Sequence, residues 1–182
     1  MSKKILNLSF LILTLTGINA AAVETALGPK LGRAASAEEI ARWEISVMPD
    51  GKGLPEGKGT VAEGESVYMS KCLSCHGPKG EGASADQLAF AQMELTDDWP
   101  EKTIGSYWPY ATTLFDFNRR SMPMQAPGSL TDEETYAVTA YLLYLNGIIS
   151  ENEVMDADSL AKVRMPNRFG FIDVYEQEKT AK

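Results

Sequence analysis

The cysteine and histidine residues of this chain are confined to one pentapeptide. The sequence of 182 residues contains two cysteines and one histidine, and all three lie in Cys72-Leu73-Ser74-Cys75-His76. The C-x-x-C-H spacing is typical of covalent haem attachment, in which each thiol adds to one vinyl group of the porphyrin. The histidine that follows is then available as an axial ligand of the iron. We therefore predict one haem c bound through Cys72 and Cys75, with His76 on the iron.

Other known uses of such a motif explain fewer of its three Cys and His residues. A structural zinc site takes four Cys or His ligands, and the chain has only three such residues. A thioredoxin-like C-x-x-C follows a strand in an α/β pattern, which the sequence does not show. A redox or structural disulfide between Cys72 and Cys75 stays open as the alternative, although it leaves His76 without a role.

The first 22 residues have the pattern of a secretory signal peptide. Lys3 and Lys4 precede an apolar run from Ile5 to Thr16, and small residues follow at Ala20 to Ala22. This predicts cleavage near Ala20 or Ala22 and export from the cytoplasm. A membrane anchor is the alternative, but the run is shorter than the ~20 apolar residues of a membrane span. Export is compatible with both uses of the motif, because haem attachment and a paired set of cysteines both occur outside the cytoplasm.

The remaining sequence predicts a single helical domain with an extension on each side. We place an N-terminal extension at residues 23–59, the haem domain at 60–149 and a C-terminal extension at 150–182. The formal charge of −8 argues against nucleic acids and anionic membranes as partners. No stretch is rich in β-formers, so the predicted fold class is all-α, with three to five helices around the haem.

Capping boxes and apolar spacing locate the helices. Short helices are predicted at 36–43 and near 156–163, and longer ones at 61–71, from Trp108-Pro109 to Arg120, and from Thr131 to a stop at Gly147. A glycine on one helix lets aromatic side chains on another approach its backbone closely, which would allow the first and last long helices to cross. The candidates for that crossing are Gly64, Tyr68, Tyr141 and Tyr144.

The sixth iron ligand has to come from a residue other than histidine, because His76 is the only one. Methionine is the soft, neutral ligand that suits an electron carrier. The segment between the helix that ends at Arg120 and the helix that begins at Thr131 contains Met122 and Met124, together with two prolines that restrict the loop. The position predicts Met122 as the axial ligand, with Met124 as the alternative.

These features together resemble class I c-type cytochromes. In that family Met-Pro followed by a large apolar residue recurs in haem loops, which favours Met122. A narrower resemblance is to the cytochrome subunit of the sulfane dehydrogenase of the bacterial sulfur-oxidation (Sox) system, and to the cytochrome subunits of periplasmic molybdenum sulfite dehydrogenases. The segments that carry it are Leu31-Gly32-Arg33, Pro49-Asp50-Gly51, Tyr107-Trp108-Pro109-Tyr110, Ala140-Tyr141-Leu142-Leu143-Tyr144 and Arg164-Met165-Pro166-Asn167-Arg168.

The resemblance implies a mono-haem electron-transfer subunit rather than a catalytic one. Its partner would be a molybdopterin-containing sulfur or sulfite dehydrogenase, and its acceptor a downstream cytochrome or oxidase. Two alternatives stay open: a free-standing periplasmic electron shuttle, and a haem enzyme that acts directly on thiosulfate. Trp108, Tyr110 and Arg119 are the candidates for contacts with the haem propionates.

Overall fold

The computed structural model describes residues 32–173. The predicted signal peptide lies outside this range, as do the last nine residues. The chain separates by its internal contacts into a unit up to Ile40 and a unit from Ala41 onwards. In the described part of the first unit, Ser36 and Glu39 form the predicted capping box. The Glu39 N–H donates to the Ser36 hydroxyl at 3.2 Å, and the Ser36 N–H donates to the Glu39 carboxylate at 2.9 Å.

The described residues are mainly helical, as predicted, with one small antiparallel sheet. Helices alternate with loops, and none of the described helices combines the length and apolarity needed to cross a membrane. The elements are α1 (Ala37–Trp43), β1 (Lys58–Thr60), α2 (Val61–Lys71), α3 (Leu73–His76), α4 (Ile104–Tyr107), α5 (Ala111–Ser121), α6 (Asp132–Leu145), β2 (Val154–Asp156) and α7 (Ala157–Leu160).

The two principal helices begin where expected, and each of them begins with a capping box. Thr60 accepts from the backbone N–H of Glu63, which in turn accepts from the Thr60 N–H. Thr131 and Glu134 repeat the arrangement at the start of α6. Each pair satisfies two backbone donors that a helix end would otherwise leave unpaired. Gly147, at φ +66°, follows the end of α6 in the left-handed conformation that commonly terminates helices.

Helices α2 and α6 cross at Gly64, as expected. A side-chain carbon at Gly64 would overlap the Ala137 carbonyl and come within 2.8 Å of the Tyr141 Cβ. The absence of a side chain therefore allows the two backbones to approach closely. Beside the glycine, the rings of Tyr68 and Tyr141 pack with centroids 5.2 Å apart. Tyr144, the fourth candidate for the crossing, is 37% exposed.

Helix α5 packs against α6 and completes the core. The Phe115 ring meets the Tyr136 ring at a centroid distance of 4.5 Å, and both side chains are fully buried. This helix begins at Ala111, two residues later than predicted. Tyr110 is extended and forms the N-cap, so Pro109 precedes the helix instead of lying in its first turn. The proline disfavours helical geometry at the residue before it. Trp108 accordingly has an extended conformation and ends α4, a short helix that the sequence pattern did not indicate.

The sheet joins the two sides of the helical core. Lys58, Gly59 and Thr60 pair with Asp156, Met155 and Val154. Gly59 lies against the backbone of Ala137, so the pair rests on α6. The ladder consequently connects the chain just before α2 with the chain that follows α6.

Candidate functional site

The sequence motif forms a tight helical turn at the end of α2. Cys72 ends α2, where its N–H donates to the Tyr68 carbonyl at 2.8 Å. Its own carbonyl accepts from the N–H groups of Cys75 at 3.1 Å and His76 at 3.0 Å. Gly77, at φ +78°, then turns the chain away. This turn brings both thiols and the imidazole to the wall of one cavity.

A backbone carbonyl holds the His76 ring. Its Nδ1 lies 2.8 Å from the carbonyl oxygen of Asp86. Since a carbonyl can only accept, Nδ1 carries the proton and Nε2 keeps its lone pair for a metal. The loop that supplies Asp86 is itself attached to the motif, because the Ala85 N–H donates to the Cys75 carbonyl at 2.9 Å.

The cavity beside the motif has a volume of about 300 Å³. This lies at the lower end of the roughly 300–1,000 Å³ range of ligand pockets, and such pockets are mostly apolar with a few placed polar groups. Here the apolar walls come from helices α4, α5 and α6, the loop before α4 and the segment that follows α5. They are Leu88, Ile104, Trp108, Leu114, Phe117, Met122, Pro123 and Leu142.

Both candidate methionines line this cavity, but they differ in burial. Met122 is half-buried, and its N–H donates to the Asn118 carbonyl at 3.1 Å as α5 ends. Met124 is 71% exposed. Met155 and Met165 are buried in the core, away from the cavity.

The two thiols differ in environment. Burial raises the pKa of Cys72 to about 11. Hydrogen bonds, first from Ser74 and then from Ser84 and Gln125, lower the pKa of Cys75. Both cysteines are free, with no disulfide between them.

The predicted contacts for haem propionates are only partly at the cavity. Trp108 lines it and packs edge-on against Phe117 at 5.6 Å. The Tyr110 ring instead lies under the Arg168 guanidinium at 4.1 Å, in a separate cavity. Arg119 forms an ion pair with Asp132 at 3.2 Å. Tyr110 and Arg119 are thus engaged elsewhere.

Asn118 is a cavity residue that the sequence pattern did not reveal. It is 7% exposed, and its Nδ2 is buried without a hydrogen-bond partner. It occupies an apolar-facing position of α5, one helical turn before Met122. A polar residue at an inward position of an amphipathic helix was the available signal.

The residues present fit a covalently attached porphyrin. Two thiols and an imidazole with a free Nε2 meet a thioether in one apolar cavity, and a buried amide donor there lacks a partner. Thiol, imidazole and thioether are the donors of c-type haem. Among residues 32–173, no cluster of three or more His, Cys, Asp and Glu side chains is arranged to hold a metal ion.

Comparison with known proteins agrees with this chemistry. The family model for cytochrome c matches residues 61–146. The fold is similar to a chain in the crystal structure of the sulfane dehydrogenase SoxCD from Paracoccus pantotrophus. The two share 43% identity and a TM-score of 0.76, over 84% of this chain and 76% of that one.

Two curated relatives are thiosulfate dehydrogenases. The protein from Psychrobacter arcticus is 28% identical over 124 residues, which make up 63% of this chain and 37% of that protein. The protein from Stutzerimonas stutzeri is 30% identical over 112 residues, which make up 55% of this chain and 35% of that protein. The matched part of this chain therefore spans little more than a third of these relatives.

Proposed function

The chain belongs to the cytochrome c family, and from this we propose that it is a mono-haem electron-transfer subunit in the oxidation of a sulfur compound. The observation that carries the proposal is the convergence of Cys72, Cys75, His76 and Met122 on one apolar cavity. A haem bound there supplies a one-electron Fe(III)/Fe(II) couple. The chain's own contribution is attachment, ligation and exclusion of water.

Each of the four residues has a distinct role in this proposal. Cys72 and Cys75 hold the group through two thioether bonds, which makes it permanent. His76 offers Nε2 to the iron, and its bond to the Asp86 carbonyl fixes the ring orientation. Met122, the residue that follows α5, would offer its sulfur to the iron from the same cavity.

Met122 is preferred to Met124 because its backbone is held by the last turn of α5. Pro123 further restricts the chain beyond it. A thioether is a weak ligand, so little binding free energy is available to order a loop. Met124, which is 71% exposed, would have to be ordered on binding.

The relatives and the exposed apolar side chains support a dehydrogenase partner. Sulfane dehydrogenase and thiosulfate dehydrogenase are the names of the similar proteins. Three large apolar side chains outside the core are mostly exposed: Trp43 at 84%, Phe169 at 78% and Ile172 at 69%. Side chains exposed in this way are available for contact with another protein, and aromatic residues are enriched in such contacts. We propose a molybdopterin-containing sulfur or sulfite dehydrogenase as donor, a cytochrome or oxidase as acceptor, and the periplasm as location after removal of residues 1–22.

The ligand assignment is tested with two matched variants of the haem-loaded protein. Intact mass should equal the processed polypeptide plus one haem. The oxidised protein should show the charge-transfer band of a methionine–iron bond. Met122→Ala should abolish this band, whereas Met124→Ala should retain it. A mass without haem contradicts the proposed function, and the reverse pattern in the variants contradicts Met122 alone.

A direct reaction with thiosulfate is the second candidate, and the names of the curated relatives favour it. That chemistry needs an exchangeable position on the iron. Reduction of the purified protein by thiosulfate alone, with a high-spin resting spectrum, would support the enzyme. Reduction only in the presence of a co-purified dehydrogenase supports the subunit.

Co-purification separates the subunit from the shuttle. A tagged chain isolated from periplasm should retain its dehydrogenase at both low and high salt, because apolar contacts are not screened. Loss of every partner at low salt would favour a free-standing shuttle.

A further inference from the structure

The connection between α4 and α5 is only partly fixed by its own hydrogen bonds. It consists of Tyr107, Trp108, Pro109 and Tyr110, and of these residues only Trp108 lines the cavity beside the motif. The preceding helix, α4, has only four residues. Pro109 has no backbone N–H to donate, and Tyr110 begins α5 without a side-chain cap. Contacts from elsewhere in the chain are therefore needed to hold Trp108 in place.

The C-terminal extension contacts the chain immediately before and after Trp108. Before it, the Asn167 side-chain amide donates to the Tyr107 carbonyl at 2.7 Å. That carbonyl lies at the end of α4, where helical carbonyls lack a partner within the helix. After it, the Arg168 guanidinium lies 4.1 Å from the centre of the Tyr110 ring. Two consecutive residues of the extension thus hold the chain on either side of the tryptophan.

The segment that carries these two side chains is anchored in the core and tightly turned. Met165, at its start, is 1% exposed and packs in the hydrophobic core. The Arg168 N–H donates to the Met165 carbonyl at 3.2 Å, and the Gly170 N–H donates to the Asn167 carbonyl at 3.2 Å. A side-chain carbon at Gly170 would overlap the Asn167 amide oxygen. Residues 165–171, called the strap below, therefore present Asn167 from a fixed backbone.

We propose that the strap positions Trp108 in the wall of the cavity, with Asn167 and Arg168 as the positioning residues. This rests on the proposed function only in that a haem occupies the cavity. Neither residue lines the cavity, so both act through the residues on either side of the tryptophan. Loss of their contacts lets the indole move and admits water to the porphyrin. The reduction potential then falls, because solvent favours the more highly charged ferric state.

The test uses haem-loaded protein labelled with fluorotryptophan, and fluorine NMR spectra of the oxidised and reduced states. The chain has three tryptophans, of which Trp43 and Trp99 are 84% and 81% exposed and serve as internal references. The Trp108 signal, assigned through Trp108→Phe, should shift between the two states, because paramagnetic iron shifts nearby nuclei and the effect falls steeply with distance. Asn167→Ala and Arg168→Ala should each reduce this shift and lower the reduction potential.

Arg164→Ala is the matched control. Arg164 is exposed and precedes the strap, and its guanidinium lies 5.7 Å from the centre of the exposed Phe169 ring. Its substitution removes the same charge as Arg168→Ala without removing a contact to Tyr107 or Tyr110. The redox-dependent shift of Trp108 should therefore stay at its wild-type value.

Several outcomes would overturn the inference. Equal changes in Arg164→Ala and Arg168→Ala would reduce the effect to charge. An unchanged Trp108 signal in Asn167→Ala, or a similar change at all three tryptophans, would exclude a specific role in placing Trp108. A wild-type protein whose mass includes no haem instead removes the proposed function, and the inference falls with it. If Asn167→Ala fails to accumulate with haem, Asn167→Ser is measured in the same way.

Discussion

Adding a single methyl group at Gly64 should destabilise the protein measurably. The new carbon of Gly64→Ala would overlap the Ala137 carbonyl and approach the Tyr141 Cβ to 2.8 Å. The first obstacle is backbone, so helices α2 and α6 have to separate. Overpacking of this kind costs about 3 kcal/mol, at the upper end of its usual range. The better helix propensity of alanine returns about 1 kcal/mol.

The net expectation is a loss of about 2 kcal/mol, or roughly 4–8 °C in the midpoint of thermal unfolding for a chain of this size. Far-ultraviolet circular dichroism of the haem-loaded protein measures it. Ser66, exposed on the same helix, supplies the control: Ser66→Ala should be more stable than Ser66→Gly by up to about 1 kcal/mol. A Gly64→Ala protein as stable as the wild type would refute the close crossing as the reason for the glycine.

Three further substitutions test contacts around α6. Thr131→Ala removes the N-cap of α6 and should cost about 1 kcal/mol in urea unfolding. Glu134 is bound first by Lys71 and then by the Thr131 N–H, which lowers its pKa. The stabilisation that ionised Glu134 gives the folded protein is therefore complete above the ordinary Glu pKa of about 4.3. It is lost as the pH falls through the lower pKa of Glu134 in the folded protein. Glu134→Gln should accordingly flatten the acid side of a stability–pH curve. Asn146→Ala strands the Gly105 N–H, now bound at 3.0 Å, and should cost about 2 kcal/mol.

Each of these has an outcome that would contradict it. Thr131→Ser keeps the capping oxygen and should stay within about 0.5 kcal/mol of the wild type; equal losses in both variants would exclude the cap as the cause. An unchanged pH curve in Glu134→Gln would show that the bond to Lys71 contributes nothing to acid stability. A fully stable Asn146→Ala would mean that water replaces the amide.

Local signals carried most of what the sequence could predict. The capping box at Thr131 requires only residues three positions apart, and residue spacing marked the helix at 61–71, so α6 and α2 begin where expected. The motif at Cys72 to His76 is equally local. The crossing at Gly64 also followed from the sequence, since a glycine on one helix and aromatic rows on another are typical of a close helix crossing.

The features that were not predicted depend on residues far apart in the chain. The strands β1 and β2 are three residues each, too short for an alternating pattern, and they pair across nearly a hundred positions. The contact between His76 and the Asp86 carbonyl depends on a loop conformation rather than on a side-chain type. That Asn118 lines a cavity required the fold to be seen, because the spacing of α5 marks the position as inward but does not show what lies opposite it.

The ladder between β1 and β2 links the stability of the two flanking segments. In an antiparallel pair with Lys58 opposite Asp156, the chain before β1 and the chain after β2 leave from the same end. Gly51 and Ala161 do lie close together there. These segments should therefore open together as one cooperative unit, with similar hydrogen-exchange rates in both. A truncation before Val154 would release the earlier segment as well as the later one.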